Sequence, residues 1–283
     1  MKIKKTSSAL LFLAFGMFSM TSVAQKITVP APSPLQTLTQ KFGLGEVTVE
    51  YSRPVAKGRA IFGEIVPYGK VWRTGANGTT KITFTDDVKI EGKDVKAGTY
   101  GLYSIPNKEY WEVMLYSDLT LNGNVAEYKA ENEVARFKVK QTKTAAKVES
   151  FTISVGDVAP TEAVLSLAWE NTLVSLKLTT DIDARVMKSI DESMKSDKPE
   201  YFRAAGYYFD NGKDLNQALT WVNKATDENP KAFYMFLLKA KIEYALKDKA
   251  AGKASAEKTI ALAKEAKNDD YVALANKLLA ENK

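Results

Sequence analysis

An α+β chain, with an antiparallel β-sandwich or jelly-roll-like domain followed by an α-helical bundle, is the fold class that the sequence predicts. Two observations carry this. Apolar residues recur with period two from about Leu35 to residue 180, and with period 3.6 from there to Lys283. The second stretch also places small residues at a fixed spacing, as stacked helical hairpins require.

Ahead of both lies a segment of a different kind. Lys2, Lys4 and Lys5 precede an apolar run from Ala9 to Phe18, and Ser19–Ser22 leads through Val23-Ala24 to Gln25. That three-part order is expected to be a secretory signal peptide over residues 1–24. A membrane anchor needs about 20 apolar residues, roughly twice this core. The mature chain is therefore expected in the periplasm or outside the cell, without a transmembrane segment. Pro30, Pro32 and Pro34 then mark residues 25–34 as an extended linker.

The β domain is assigned to residues 35–180. Val47, Val49 and Tyr51 alternate with Glu46, Thr48 and Glu50; Ile82 and Phe84 alternate with Lys81, Thr83 and Thr85. Trp111, Val113 and Leu115 alternate with Glu112, Met114 and Tyr116, and each set is expected to face inward while its neighbours face out. Glu91-Gly92 between Val88–Ile90 and Lys93–Val95 predicts a hairpin, with the next strand opening at Ala97-Gly98. Glu170-Asn171 between Ala163–Trp169 and Thr172–Leu178 predicts a second hairpin. With further strands at Val134–Lys140 and Val148–Val155, roughly eight to ten short strands accumulate, the pattern of a sandwich, with a barrel as the runner-up.

Residues 181–283 are assigned to helices. Asp181 can cap the first, in which Ile182, Val186, Ile190 and Met194 share a face. Others are expected at Glu200–Phe209, Leu215–Asp227, Ala232–Leu246, Ala251–Lys264 and Asp270–Ala280. Gly206, Ala218, Ala225 and Pro230 stand where a tetratricopeptide repeat places its small residues and its closing proline. In the next unit Ala240 fits, but Ala254 and Ala261 are displaced, so the second repeat reads as degenerate. Such units are seldom stable below about three repeats, so the helices are expected to dock on the β domain or another subunit.

Composition removes several function classes. The chain holds no Cys and no His, so a Ser-His-Asp triad, a thiol nucleophile and His- or Cys-based zinc sites cannot be built. Its formal charge of +6 falls to +3 without the three signal lysines, too weak an excess to point to nucleic acid. No cofactor is expected.

The segment most like a site is Tyr51–Asn77, where β alternation breaks down. Arg53, Arg59 and Arg73 are interleaved with Tyr68 and Trp72 and punctuated by glycine and proline. A connection this long, with Ile61, Phe62, Ile65 and Val66 in it, is expected to be ordered and packed on the sandwich. Guanidinium forks fit carboxylate, sulfate or phosphate, and an adjacent aromatic face fits a sugar ring. Arg53, Arg59, Tyr68, Trp72, Arg73 and Asn77 are therefore the candidate binding residues for an anionic or glycan ligand; structural use of the same arginines within their own loop is the competing explanation. Asp86-Asp87 reads as a turn, and Asp210–Asp214 as a connection between helices rather than a calcium loop.

The run Tyr51-Ser52-Arg53-Pro54, then Lys57-Gly58-Arg59 with Ile61-Phe62-Gly63, then Val66 through Asn77, resembles the signature of the exported bacterial family called domain of unknown function 2911. Ala97-Gly98-Thr99-Tyr100 and Trp169-Glu170-Asn171 also match. The resemblance covers roughly residues 33–178. It implies an exported β domain, often with helices after it, and no activity.

A non-enzymatic binding module is thus the expected function, with the helices offering a groove to a protein partner. The alternatives are a cell-envelope hydrolase using carboxylates or a Ser-Lys pair, and a structural adaptor.

Overall fold

The computed structural model describes residues 28–283; the expected signal peptide and residues 25–27 of the linker lie outside the described residues. Among the described residues ten strands are formed in the order β1 (Leu35–Phe42), β2 (Gly45–Ser52), β3 (Ala76–Phe84), β4 (Val88–Ile90), β5 (Lys93–Val95), β6 (Gly98–Pro106), β7 (Tyr110–Tyr116), β8 (Glu133–Lys140), β9 (Thr142–Gly156) and β10 (Glu162–Thr179). They build two antiparallel sheets, β1-β2-β3-β6-β7-β8 and β5-β4-β10-β9. The period-two residues of both fill one core. Val47, Val49, Tyr51, Ile82, Trp111 and Val113 from the larger sheet meet Phe151, Ile153, Leu165, Leu167, Val174 and Leu176 from the smaller. Burial of such side chains stabilises by about 1.5–3 kcal/mol each, and this continuous layer holds the two sheets together.

The hairpin expected at Glu170-Asn171 is instead the middle of one long strand. Glu170 takes a left-handed backbone (φ +50°), and the β9–β10 register shifts between Ala168 and Glu170 and again between Glu170 and Thr172. These bulges change the parity of the inward face, from Ala163, Leu165, Leu167 and Trp169 to Val174, Leu176 and Leu178. A parity change around two polar residues reads in sequence like a turn, but here the chain continues in the same direction.

A second correction concerns β7. Met114 and Tyr116, expected to face outward, are buried with Tyr103 and Leu121 in a separate apolar cluster, against which Val71, Ile105, Val125 and Tyr128 pack. The cover is the 117–132 connection, which runs through three short 3-10 turns. Tyr116 and Tyr128 stack at 4.6 Å, while Arg136 ties Glu112 and Glu133 beneath them.

Six helices follow: α1 (Asp183–Ser193), α2 (Tyr201–Asp210), α3 (Leu215–Glu228), α4 (Phe233–Ala245), α5 (Lys249–Glu265) and α6 (Asp269–Glu281). Asp214, Asp248 and Asn268 cap the amide ends of α3, α5 and α6. Asp181 does not occupy the cap position of α1, which is Ile182; its carboxylate accepts from the Asp183 N–H at 3.1 Å. Consecutive helices pack side by side, α2 on α3 and α4 on α5.

The second hairpin is closer to the repeat than its alanines suggest. Ala254 and Ala261 are exposed, and the buried small residues are Gly252 and Thr259, each 34 positions after Ala218 and Ala225. Gly252 is required by space. A Cβ there would sit 2.8 to 2.9 Å from three ring atoms of Tyr244, so only a bare Cα lets α5 approach α4.

The helices have a hydrophobic core of their own around Ile190, Ala205, Trp221, Val222 and Ile242. They meet the β sandwich at a narrow seam. There the Arg185 guanidinium lies 2.8 Å from Asp86, the Thr180 hydroxyl donates to the Asp87 carbonyl, and the Thr180 side chain covers Gly43.

Candidate functional site

The Tyr51–Asn77 segment is ordered against the sandwich, with Ala56, Ile61 and Val66 in its core and short bridges pairing Val55 with Ser150 and Trp72 with Ser104. Each candidate residue has a defined place. Arg53 reaches β9, donating through Nε to the Phe151 carbonyl (3.1 Å) and through Nη2 to Thr152 Oγ1 (2.8 Å). Arg59 folds back on its own turn, donating to the carbonyls of Ala56 (3.0 Å) and Val55 (2.7 Å). Arg73 donates through Nη1 to the Asn77 carbonyl at 2.7 Å. Asn77, in a left-handed backbone (φ +59°), donates its amide to the Ser33 carbonyl and Ser52 Oγ, fastening the linker to the end of β2.

Trp72 belongs to a five-ring cluster. It stacks on Trp169 (5.9 Å, 18°), meets Trp111, Phe151 and Phe62 edge to face, and donates Nε1–H to the Gly75 carbonyl at 3.1 Å. Tyr68 is exposed, its ring laid over Gly63, where a Cβ would come within 2.9 Å. The three guanidiniums are thus held by three different parts of the fold, and one shallow cleft of about 190 Å³ brings Trp72 and Arg73 together with Lys70 and Pro67. Arg53, Arg59, Tyr68 and Asn77 do not line it. Among the described residues none of the three arginines has a carboxylate within ion-pair distance; each is held through uncharged oxygens. A guanidinium carries five N–H donors, so all three keep charge and donors to spare.

A larger concavity runs along the first helices of the hairpins. It has a volume of about 470 Å³ and is walled by α2, α4 and α6, with Phe202, Tyr207, Tyr234 and Tyr271 among its lining residues. Phe202 and Tyr234 meet edge to face at 5.3 Å, and Phe233 joins Tyr234 (5.8 Å) to Tyr271 (4.8 Å) in a continuous aromatic ladder. Arg203 and Lys241 supply positive charge to the same surface and Asp210 negative. Phe202, Gly206 and Phe209 fall at positions that the repeat pattern specifies, whereas Tyr234, Lys241 and Tyr271 do not stand out in the sequence, although a signal exists. Arg203, Leu237 and Tyr271 are 34 positions apart, as are Tyr207 and Lys241, so the repeat brings equivalent positions to one wall.

Among the perturbed titrating groups Tyr207 lines the groove, where burial and its hydrogen bond to Asp183 push the phenol up to about 12; two shifted carboxyls lie elsewhere. Hydrogen bonds from Arg136 hold the Glu133 carboxyl below the usual range. Burial between α4 and α5 pushes the Glu243 carboxyl up, against a hydrogen bond from Ser255 and the Lys239 ammonium 3.9 Å away. One Glu243 oxygen has no hydrogen-bond partner. Neither group lines the groove or the Arg73 cleft. Among the described residues no group of three acidic side chains is placed to hold a metal ion, and no helix is long and apolar enough to cross a membrane.

Comparison with known proteins gives one match. The family model described as "Protein of unknown function (DUF2911)" covers residues 33–178, which is the β sandwich with the last residues of the linker. No curated protein and no solved structure matches the chain.

Proposed function

Because the chain belongs to the family of proteins of unknown function DUF2911, whose description carries no activity, we propose a role from its geometry: an exported binding module that grips a peptide segment of a partner protein. The aromatic groove across α2, α4 and α6 carries this reading. Aromatic side chains offer large contact area at small cost in conformational entropy, and curved helical arrays present such extended concave surfaces. Arg203 and Lys241 on one surface with Asp210 fit a peptide of mixed, mainly acidic, charge. Export rests on the N-terminal pattern, and it predicts a mature chain that begins at Gln25.

The test is selection of peptides from a random display library on the full chain, followed by titration calorimetry. Tyr234 is exposed, so Tyr234→Ala combined with Lys241→Ala is expected to leave the fold intact and weaken the selected peptides about tenfold or more. Peptides that bind the double variant as tightly as the wild type, or a failure to select any, would remove the groove from the account.

A second reading has its own observation. Among the described residues no carboxylate pairs with the arginines of the Tyr51–Asn77 segment, and Arg73 with Lys70 borders the cleft beside Trp72. An anionic or glycan ligand there would be lost in Arg73→Ala with folding unchanged.

A further inference from the structure

At the end of the sandwich three lysines line one open cleft of about 610 Å³: Lys108 from the β6–β7 turn, and Lys140 and Lys143 from either side of the short β8–β9 connection. Asn171 and Thr172 of β10 also line it, and Glu109 is its acidic lining residue. All three lysines are exposed, and among the described residues none forms an ion pair. Hydrogen bonds of Gln141 tie the frame beneath them together. Gln141 donates its side-chain amide to the Lys108 carbonyl (2.5 Å), accepts from Trp111 Nε1 (3.2 Å) and donates its backbone N–H to the Glu109 carbonyl (3.0 Å). One buried tryptophan therefore fixes the spacing between two of the lysine-bearing segments. Register fixes the third, since Lys143 pairs with Thr172 across β9 and β10. A fourth cation, Lys138, lies on the same outward face of β8, its ammonium 3.8 Å from the centre of the Tyr110 ring.

Lysines also occur on edge strands as a guard against sheet-to-sheet pairing, and β8 and β9 are edges of their sheets. That role needs charges spread along a strand. Lys138, Lys140 and Lys143 stand on those edges and can serve it, but Lys108 comes from the β6–β7 turn, and edge protection does not account for its place in the same cleft beside Asn171 and Thr172.

We propose that this cleft is an oxyanion site that takes a phosphate monoester. Three lysines and one glutamate leave a local charge of about +2, which matches the roughly −1.5 to −2 of a phosphate monoester near neutral pH. Ammonium groups bind phosphate as point charges from several directions, and the cleft is wider than a bare phosphate, leaving room for the ester's organic part. This proposal stands apart from the helical groove and does not depend on it.

The test follows backbone amide shifts of the full chain by NMR at low salt, with inorganic phosphate, glucose 6-phosphate and phosphatidic-acid vesicles as separate probes and glucose as the neutral control. Phosphate-dependent shifts are expected at Lys108–Tyr110, Lys140–Lys143 and Asn171–Thr172, while glucose leaves them in place. The probe that binds most tightly identifies the source, whether free ion, soluble ester or lipid headgroup. Lys108→Gln, Lys140→Gln and Lys143→Gln together are expected to weaken binding about thirtyfold, roughly threefold for each exposed charge, with the melting temperature unchanged. No shift with any of the three phosphate probes would overturn the proposal. So would equal loss in a control carrying Lys253→Gln, Lys258→Gln and Lys277→Gln on the helices.

Discussion

Trp72 distinguishes a structural tryptophan from a ligand platform, and replacing it with alanine makes the difference large. In the structure its ring contacts Phe62, Trp111, Phe151 and Trp169 with centroid separations from 5.0 to 6.4 Å, and its N–H is taken by Gly75. Trp72 is half-buried, so truncating it removes part of its transfer free energy and leaves a gap among four rings, a cost at the low end of that for buried aromatics, about 3 kcal/mol. For a unit of this size that corresponds to a fall in Tm of about 10 °C. Trp72→Phe keeps most ring contacts and loses the Gly75 hydrogen bond, so about 1–2 kcal/mol is expected. Urea unfolding followed by far-UV circular dichroism measures both variants, with the near-UV aromatic signal as a second probe. A Trp72→Ala protein within about 1 kcal/mol of wild type would refute the reasoning, since it would mean that the ring projects into open space.

Three further perturbations test other parts of the fold. Burial raises the Glu243 carboxyl, so its ionised form is penalised in the folded state; that penalty is present above the raised value and fades as pH falls through it toward the unfolded value. Glu243→Gln is accordingly expected to be more stable than wild type near pH 7 and to lose that advantage on acidification, as Tm measured for both proteins from pH 7.5 to 4.5 would show. Gly252→Val drives methyl groups into the Tyr244 ring and should cost about 1–3 kcal/mol in helical stability, measured by thermal unfolding. Asp86→Asn breaks the ion pair to Arg185 at the seam. At a half-exposed pair this costs about 1 kcal/mol or less, and faster proteolytic cleavage near Thr180 is the expected readout.

The fold was legible wherever one face of an element is wet. Val47, Val49 and Tyr51 alternate because β2 has one polar face, and the spacing of Ile182, Val186 and Ile190 is helical because α1 buries one stripe. Legibility failed where both faces are covered, as at Met114 and Tyr116, since the residues that hide them come from a separate, irregular connection. It failed again at Glu170, because a bulge and a turn present the same two polar residues in a parity change. The candidate site was legible only as chemistry. Arg53 finds its oxygens about a hundred positions away on β9, and a pairing of that range leaves no local trace. The lysine cleft is hidden for the same reason, as Lys108 and Lys143 become neighbours only through Gln141 and the pairing of β9 with β10.

Hydrogen-exchange mapping of the full chain with a selected peptide bound tests the central claim most directly. The account predicts new protection in Phe202–Asp210, Tyr234–Lys241 and around Tyr271, with the sandwich unchanged. Protection confined to residues 53–77, or none at all in α2, α4 and α6 at saturating peptide, would contradict it.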